Sequence, residues 1–186
     1  MLFPTVTFAV FFVVVAPASW LVSRRPRVRQ AVLVAAGGVF YAHWDAGFLG
    51  LVAATILLAH LGGRAVAATA DRPRLQRAVL AIGVSVHLAI LGWFKYYGFF
   101  VTELTRLLDE VGVSVDPPLV DVVVPLGISF FTFQAIGYLV EVRREVLAPG
   151  SLLEVATWIS FFPTITSGPI TRASELFPQL RRPPDR

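Results

Sequence analysis

The sequence predicts an all-α, polytopic transmembrane protein with about five membrane-spanning helices and a broken or re-entrant sixth segment. Composition is the first observation behind this prediction. Of the 186 residues, 56% are hydrophobic and only 15% are charged, whereas soluble domains contain about 45–50% apolar and about 25% charged residues. Spacing is the second observation, because the apolar residues form successive blocks. Several blocks approach the roughly 20 residues that a helix needs to cross a hydrocarbon layer about 30 Å thick.

Six apolar blocks define the organisation of the chain. They cover residues 3–22, 28–44, 47–70, 78–94, 120–142 and 151–170. The first block resembles a secretory signal, but the nearest basic residues, Arg24 and Arg25, follow its apolar stretch instead of preceding it. We therefore expect an uncleaved first span, and we expect residues 1–186 to form a single membrane domain.

The basic residues between the blocks predict the orientation of the chain. Ten of them fall in the loops after the first, third and fifth blocks, whereas two, Lys95 and Arg106, fall on the opposite side. Because lysine and arginine accumulate in cytoplasmic loops, we expect a multi-pass protein with its N-terminus outside. The net charge of +4 comes from these loops and not from one basic face. The lipid bilayer is therefore the expected partner, and nucleic acid is not.

The sixth block differs from the others because Pro163, Gly168 and Pro169 interrupt it. Proline removes a helical hydrogen bond, and irregular backbone at membrane depth must be covered by protein or water. The block is followed by four arginines, Arg172, Arg181, Arg182 and Arg186. A segment that re-enters the membrane and returns to the cytoplasm satisfies both the charge rule and the backbone chemistry. A full crossing is the alternative.

Residues 95–121 form an amphipathic segment. Leucines at the spacing of one helical face stand opposite charged residues: Leu104, Leu107 and Leu108, against Glu103, Arg106, Asp109 and Glu110. A helix of this kind lies in the membrane interface instead of crossing it. We expect it on the outer surface, ending at Pro117 and Pro118 before the fifth block.

Polar side chains inside the apolar blocks are the candidate site residues, because burying them in a membrane is costly. Gln134 and Tyr138 belong to the fifth block and His87 to the fourth. Each is expected either to line a substrate passage or to join helices by packing and hydrogen bonds. His60 precedes Arg64 by one helical turn, and that cation disfavours a protonated histidine, so a structural role is expected. The histidines lack the spacing of a metal-ligand set, so no metal site is predicted.

Four ordered strings extend the prediction beyond composition. They are GGVFYAHW at residues 37–44, GWFKYYGFF at 92–100, VPLGISFFTFQAIGYLVEV at 124–142 and WISFFPTITSGPITR at 158–172. Together they resemble the membrane-bound O-acyltransferase family, in particular its bacterial branch of alginate O-acetylation and D-alanyl transfer to teichoic acid. The resemblance covers nearly the whole chain and corresponds to the N-terminal portion of the family's fold.

The resemblance implies a ring of helices around a funnel in the bacterial inner membrane. It also implies transfer of an acyl group, expected to be acetyl, from a thioester donor, acetyl-CoA or an acyl carrier. The acceptor would be a hydroxyl of a cell-surface polysaccharide or lipid, with histidine as general base. That histidine lies in the family's C-terminal half and matches none of His43, His60 and His87. No catalytic residue is therefore assigned, and the chain alone is expected to be inactive. Its expected partners are the missing C-terminal half and other proteins of cell-surface glycan acylation.

The resemblance also implies roles for two residues of the last string, WISFFPTITSGPITR. Gly168 is expected to help shape a substrate passage. Arg172 is expected to contact a phosphate or pantetheine carrier of the donor, with a cytoplasmic anchor as the alternative. The alternative function is a non-catalytic membrane scaffold or a transport-pathway component, in which Gln134, His87 and the broken sixth segment line a passage.

Overall fold

The computed structural model describes residues 6–112, 123–165 and 171–182. These ranges contain helices and no strand, which confirms the all-α prediction. Their α-helices are α1 (Val6–Leu21), α2 (Pro26–Asp45), α3 (Leu49–Ala68), α4 (Pro73–Leu91), α5 (Tyr97–Glu110), α6 (Ile128–Arg143), α7 (Leu152–Ile159) and α8 (Ala173–Arg181). A 3-10 turn, Ala46–Phe48, joins α2 to α3, and a π-helical turn, Gly92–Tyr96, joins α4 to α5.

Helices α2, α3 and α4 match three of the predicted blocks. Pro26 and Pro73 are the first residues of α2 and α4, where proline costs no helical hydrogen bond and already has a helical φ. Asp45 separates α2 from α3, because its backbone is extended and its carboxylate accepts a hydrogen bond from the Gly47 N–H at 2.7 Å. Local side-chain chemistry therefore sets these boundaries.

The described part of the amphipathic segment is helical and continues from α4 through the π-helical turn. Helix α5 has the helical conformation that the leucine spacing predicts, and residues 73–110 form one helical stretch of 38 residues. Gly92 does not end this stretch, because its backbone is right-handed helical, with φ −58° and ψ −46°. The predicted end at Pro117 and Pro118 lies outside the described residues.

Helix α6 begins later than the fifth block predicts. Residues 123–125 are not helical, and the helix starts at Ile128. Pro125 has no backbone N–H to donate, and Gly127 has a left-handed φ of 74°. A Cβ atom at Gly127 would also overlap the carbonyl oxygen of Ile165. Both conformation and space therefore require glycine immediately before α6.

The sixth block is interrupted, as predicted. Helix α7 has 8 residues, which corresponds to about 12 Å of helix, and turn residues follow it at 160 and 162–165. A helix of that length does not cross a hydrocarbon layer of about 30 Å. Gly168 and Pro169, to which the prediction also referred, lie outside the described residues.

Helix α6 is central in the described bundle. It packs on α3 and α4, while α7 packs on α2 and α3. Two of these crossings depend on glycine. A Cβ at Gly37 of α2 would overlap the carbonyl oxygen of Ser160, and a Cβ at Gly63 of α3 would lie 2.6 Å from Cε1 of Tyr138. Small residues let the helices approach closely at these two points.

Helix α1 lies at the edge of the bundle, and none of its residues is buried. It attaches through aromatic contacts, in which the rings of Phe11 and Phe162 have centroids 5.0 Å apart and Phe40 lies 6.0 Å from Phe11. Two helical stretches, residues 26–68 and 73–110, are long and apolar enough to cross a membrane by length and composition. Only 22% and 11% of their apolar windows are buried in the chain.

Candidate functional site

The end of α8 is hydrogen-bonded to the beginning of α2. Arg29 Nη2 donates to the carbonyl of Gln179 at 2.7 Å, and Gln30 Nε2 donates to the carbonyl of Leu180 at 3.1 Å. These contacts join positions about 150 residues apart in sequence. The chain after α7 therefore returns to the end of the bundle at which α2 begins.

An ion pair joins the end of α8 to the first turn of α7. Arg181 Nε lies 2.6 Å from Oε1 of Glu154. Ser151 completes a capping box, since its N–H donates to Oε2 of Glu154 at 2.7 Å and its hydroxyl accepts from the Glu154 N–H at 3.3 Å. Burial raises the pKa of the Glu154 carboxyl, but the hydrogen bonds from Arg181 and Ser151 outweigh burial and hold this pKa below its ordinary value. Glu154 is therefore ionised at neutral pH.

An open cavity of about 570 Å³ lies at this end of the bundle. It is lined by His60, Arg64, Pro149, Gly150, Ser151 and Leu152. His60 and Arg64 are four residues apart on α3 and therefore lie on one helical face. Within the described part of the chain, the buried Nδ1 of His60 has no hydrogen-bond partner and Arg64 forms no ion pair. Residues 149–152, between α6 and α7, form the facing wall.

Tyr138 lies behind this wall in an aromatic cluster. Its ring centroid is 5.9 Å from those of Trp158 and Phe177, which are 6.0 Å from each other. Its hydroxyl accepts a hydrogen bond from the Gly150 N–H at 3.0 Å. A Cβ at Gly150 would overlap the Phe177 ring. The structure thus places Tyr138 where it packs three helices together and fixes the cavity wall.

His87 and Gln134 lie in the interior, with 2% and 3% of their surfaces exposed. His87 Nδ1 is 2.8 Å from the carbonyl oxygen of Gly83, so this nitrogen carries the proton and Nε2 is left as an acceptor. Neither that Nε2 nor Gln134 Oε1 has a hydrogen-bond partner among the described residues. Each residue thus presents a buried acceptor atom, which is compatible with either of the two predicted roles.

The remaining predicted residues lie away from the cavity or outside the described ranges. Arg172 directly precedes α8 and is exposed, and its carbonyl accepts hydrogen bonds from the N–H groups of Glu175 and Leu176. It is not among the described residues that line the cavity. Gly168 lies outside the described residues. In residues 6–112, 123–165 and 171–182, no group of three His, Asp or Glu side chains has the arrangement of a metal site.

Arg64, Gly150 and Ser151 are cavity residues that the sequence did not identify as such. The serine and Glu154 have the three-residue spacing of a capping box, so the start of α7 carries a recognisable signal. The cavity itself carries none, because it forms where α3 meets a segment about 90 residues further along the chain. Only the tertiary fold brings these parts together.

Comparison with known proteins identifies relatives of most of the chain. It is 35% identical over 156 residues to a probable alginate O-acetylase of Azotobacter vinelandii, and 36% identical over 157 residues to one of Pseudomonas putida. It is 26% identical over 184 residues to a peptidoglycan O-acetyltransferase of Helicobacter pylori. These matches cover 83%, 83% and 86% of the chain but 31%, 32% and 34% of the relatives. The chain thus spans about a third of the length of the curated relatives it matches. No family model and no solved structure matches it.

Proposed function

The chain belongs to the membrane-bound O-acyltransferase family. We propose that it forms part of an enzyme that transfers an acetyl group from a thioester to a hydroxyl of a cell-surface polysaccharide or lipid. The observation that carries this proposal is the match to probable alginate O-acetylases at 33–36% identity over 83% of the chain. The relatives named above are transferases, so a non-catalytic scaffold is not favoured.

The proposed setting is the bacterial inner membrane, with several crossings and the N-terminus outside. The low burial of the two apolar helical stretches supports this arrangement, because the core helix of a soluble domain is mostly buried. The hydrogen bonds from Arg29 and Gln30 to the end of α8 support a sixth segment that re-enters and returns. They place Arg181 at the same end of the bundle as the arginine-rich start of α2, which agrees with a cytoplasmic location for both.

In this proposal the donor, acetyl-CoA or an acyl carrier, approaches from the cytoplasm, and Arg172 contacts its phosphate. Gln134, Tyr138, His87 and Gly168 belong to the walls of the passage or to the packing behind them. The histidine that acts as general base comes from the remainder of the enzyme, which is the expected partner together with other glycan-acylation proteins. Enclosing the reaction in protein would exclude the water that hydrolyses a thioester.

A chimera tests the proposed activity. The matched segment of the Azotobacter vinelandii relative is replaced by this chain, and acetyl groups on alginate are measured in cells that lack the native enzyme. We expect the chimera to restore acetylation, and we expect neither this chain alone nor the relative without its matched segment to do so. A chimera that accumulates in the membrane without transferring acetyl would contradict the proposed function. Transfer by this chain alone would contradict the proposal that the base lies elsewhere.

Single cysteines test the proposed orientation, because the chain contains none of its own. Asp71→Cys lies in the connection between α3 and α4, and Val111→Cys follows α5, where the native side chain is 72% exposed. A membrane-impermeant maleimide applied to intact spheroplasts should label Val111→Cys alone, and lysis should make Asp71→Cys reactive. The reverse pattern would place the N-terminus in the cytoplasm.

A further inference from the structure

We propose that the cavity between α3 and the segment 149–152 binds a phosphate ester, with Arg64 as its principal contact. The geometry of this cavity carries the proposal, which does not require that the chain takes part in acyl transfer.

Arg64 supplies the charge. It lines the cavity and forms no ion pair within the described ranges, and a guanidinium stays protonated at any physiological pH. Its planar arrangement of donors matches two oxygens of a phosphate. Glu154, the acidic residue that caps the helix after the facing wall, already binds Arg181 at 2.6 Å. The positive charge of Arg64 is therefore left to attract an anion.

His60 and Ser151 complete the lining without supplying a free donor. His60 lies one turn before Arg64 on the same face of α3 and forms part of the cavity wall, but its Nδ1 is shielded from solvent. The hydroxyl of Ser151 already donates to Oε2 of Glu154 at 2.9 Å. Arg64 is therefore the charged group that the cavity offers to an anion.

The facing wall is fixed before any ligand binds. Gly150 donates to the hydroxyl of Tyr138 at 3.0 Å and packs on the Phe177 ring, while Ser151 is held by Glu154. A pre-organised wall lowers the entropic cost of binding. The fixed positions of these residues distinguish the cavity from a surface depression with mobile edges.

The size and lining of the cavity indicate an ester and not a bare ion. Its volume of about 570 Å³ falls within the range of about 300–1,000 Å³ that is typical of small-molecule sites. Pro149 and Leu152 provide apolar surface beside the polar groups, and this surface suits the alcohol part of the ester. Lipid headgroups and soluble coenzymes both have this chemistry.

Binding to the purified 186-residue chain in neutral detergent tests the proposal. Calorimetric titrations use coenzyme A and inorganic phosphate, with acetate as the control anion. Native mass spectrometry of nanodiscs, with and without phosphatidylglycerol, measures retained lipid. We expect coenzyme A or phosphatidylglycerol to bind, and the one that binds identifies the source of the ester. Inorganic phosphate should bind more weakly, and acetate should not bind.

Four variants decide whether the cavity is the site. Arg64→Gln should weaken binding about tenfold to a hundredfold, the effect of one charge-assisted contact, and Arg64→Lys should weaken it less. The control Arg74→Gln removes the same charge at an exposed position of α4 and should change binding less than twofold. Leu152→Trp narrows the cavity at its rim without changing charge and should weaken binding at least tenfold, which decides the question if Arg64→Gln does not fold.

Three results would overturn the proposal. The first is that neither coenzyme A nor phosphatidylglycerol binds. The second is an equal loss in Arg64→Gln and Arg74→Gln, which would indicate general surface charge. The third is unchanged binding in Leu152→Trp, which would place the ester elsewhere. Loss of binding in these variants would say nothing against acyl transfer, which the chimera measures separately.

Discussion

Replacing Gly37 by alanine tests a close contact between α2 and the end of α7. The added Cβ would lie 3.0 Å from both the carbonyl carbon and Oγ of Ser160 and would overlap its carbonyl oxygen. Carbon atoms in ordinary contact are about 3.5–4.0 Å apart. The obstructing group is backbone, so it cannot rotate away as a flexible side chain would. Helices α2 and α7 would have to separate by roughly 1 Å.

The expected cost follows from two opposing effects. Overpacking of this kind costs typically about 1–3 kcal/mol, whereas alanine in a helix interior gains about 0.5–1 kcal/mol over glycine. Gly38→Ala is a matched control one residue further along α2, because its Cβ would meet nothing within 4 Å. Gly38→Ala should therefore gain only the stabilisation of about 0.5–1 kcal/mol that alanine gives a helix interior over glycine. The free energy of unfolding of Gly37→Ala should therefore lie about 1–3 kcal/mol below that of Gly38→Ala.

Thermal unfolding of the two variants in the same detergent measures this difference. At about 2–4 °C per kcal/mol for a chain of this size, the midpoint for Gly37→Ala should be about 2–12 °C lower than that for Gly38→Ala. Circular dichroism reports loss of helix, and equal starting spectra establish that both variants fold. Equal midpoints would mean that α2 and α7 do not cross closely at Gly37, and the reasoning about this contact would fail.

Three further predictions concern other contacts of the bundle. The pKa of the Glu154 carboxyl is lower in the folded chain than in the unfolded chain. Its ionisation therefore stabilises the folded chain above the ordinary pKa of 4.5, and this stabilisation is lost as pH falls through the folded pKa. The unfolding midpoint of Glu154→Gln should lack this acid-dependent decrease. Tyr138→Phe leaves the buried Gly150 N–H without its acceptor and should cost about 1–3 kcal/mol in a denaturant titration. Phe162→Ala should lower the free energy of unfolding by up to about 5 kcal/mol and increase amide hydrogen exchange in α1. Unchanged exchange would refute the attachment of α1 through this ring.

The all-α class and the approximate positions of α2, α3 and α4 could be predicted because local chemistry sets them. Apolar blocks identify α2, α3 and α4, and proline starts α2 and α4. The start of α6 was predicted too early, because apolar composition continues through residues 123–127 while Pro125 and the left-handed Gly127 prevent a helix there. Hydrophobicity predicts where a chain is buried or in lipid, but backbone geometry decides where a helix begins.

The continuous helix from α4 into α5 shows a second limit of sequence reasoning. Charged residues after Lys95 change the character of the segment, but this change alone does not predict whether the helix continues through residues 92–96. Polarity alone does not end a helix, since termination needs a residue or cap that diverts the backbone. Gly92 and Tyr97 both keep right-handed helical backbone, so the π-helical turn absorbs the change without a break.

The candidate site was partly predictable for the same reason. Gln134 and His87 are polar residues in apolar blocks, and both are buried. Because burying polar groups costs free energy, the sequence could predict that these two residues have a role inside the bundle. The cavity depends on contacts between distant parts of the chain. His60 and Arg64 have the spacing of one helical face, but only the packing of segment 149–152 against α3 gives that face a partner.

The short helix α7 is held in the bundle by contacts near both of its ends. At its beginning, Ser151 and Glu154 form the capping box, so backbone N–H groups of the first turn have side-chain partners. Near its end, the indole N–H of Trp158 donates to the carbonyl of Thr171 at 2.9 Å, which ties the returning chain back to α7. Gly37 lets α2 approach the residue that follows the last turn of α7 closely. The described break after α7 therefore lies against other parts of the chain, and a short helix is stable there because these contacts replace the length that it lacks.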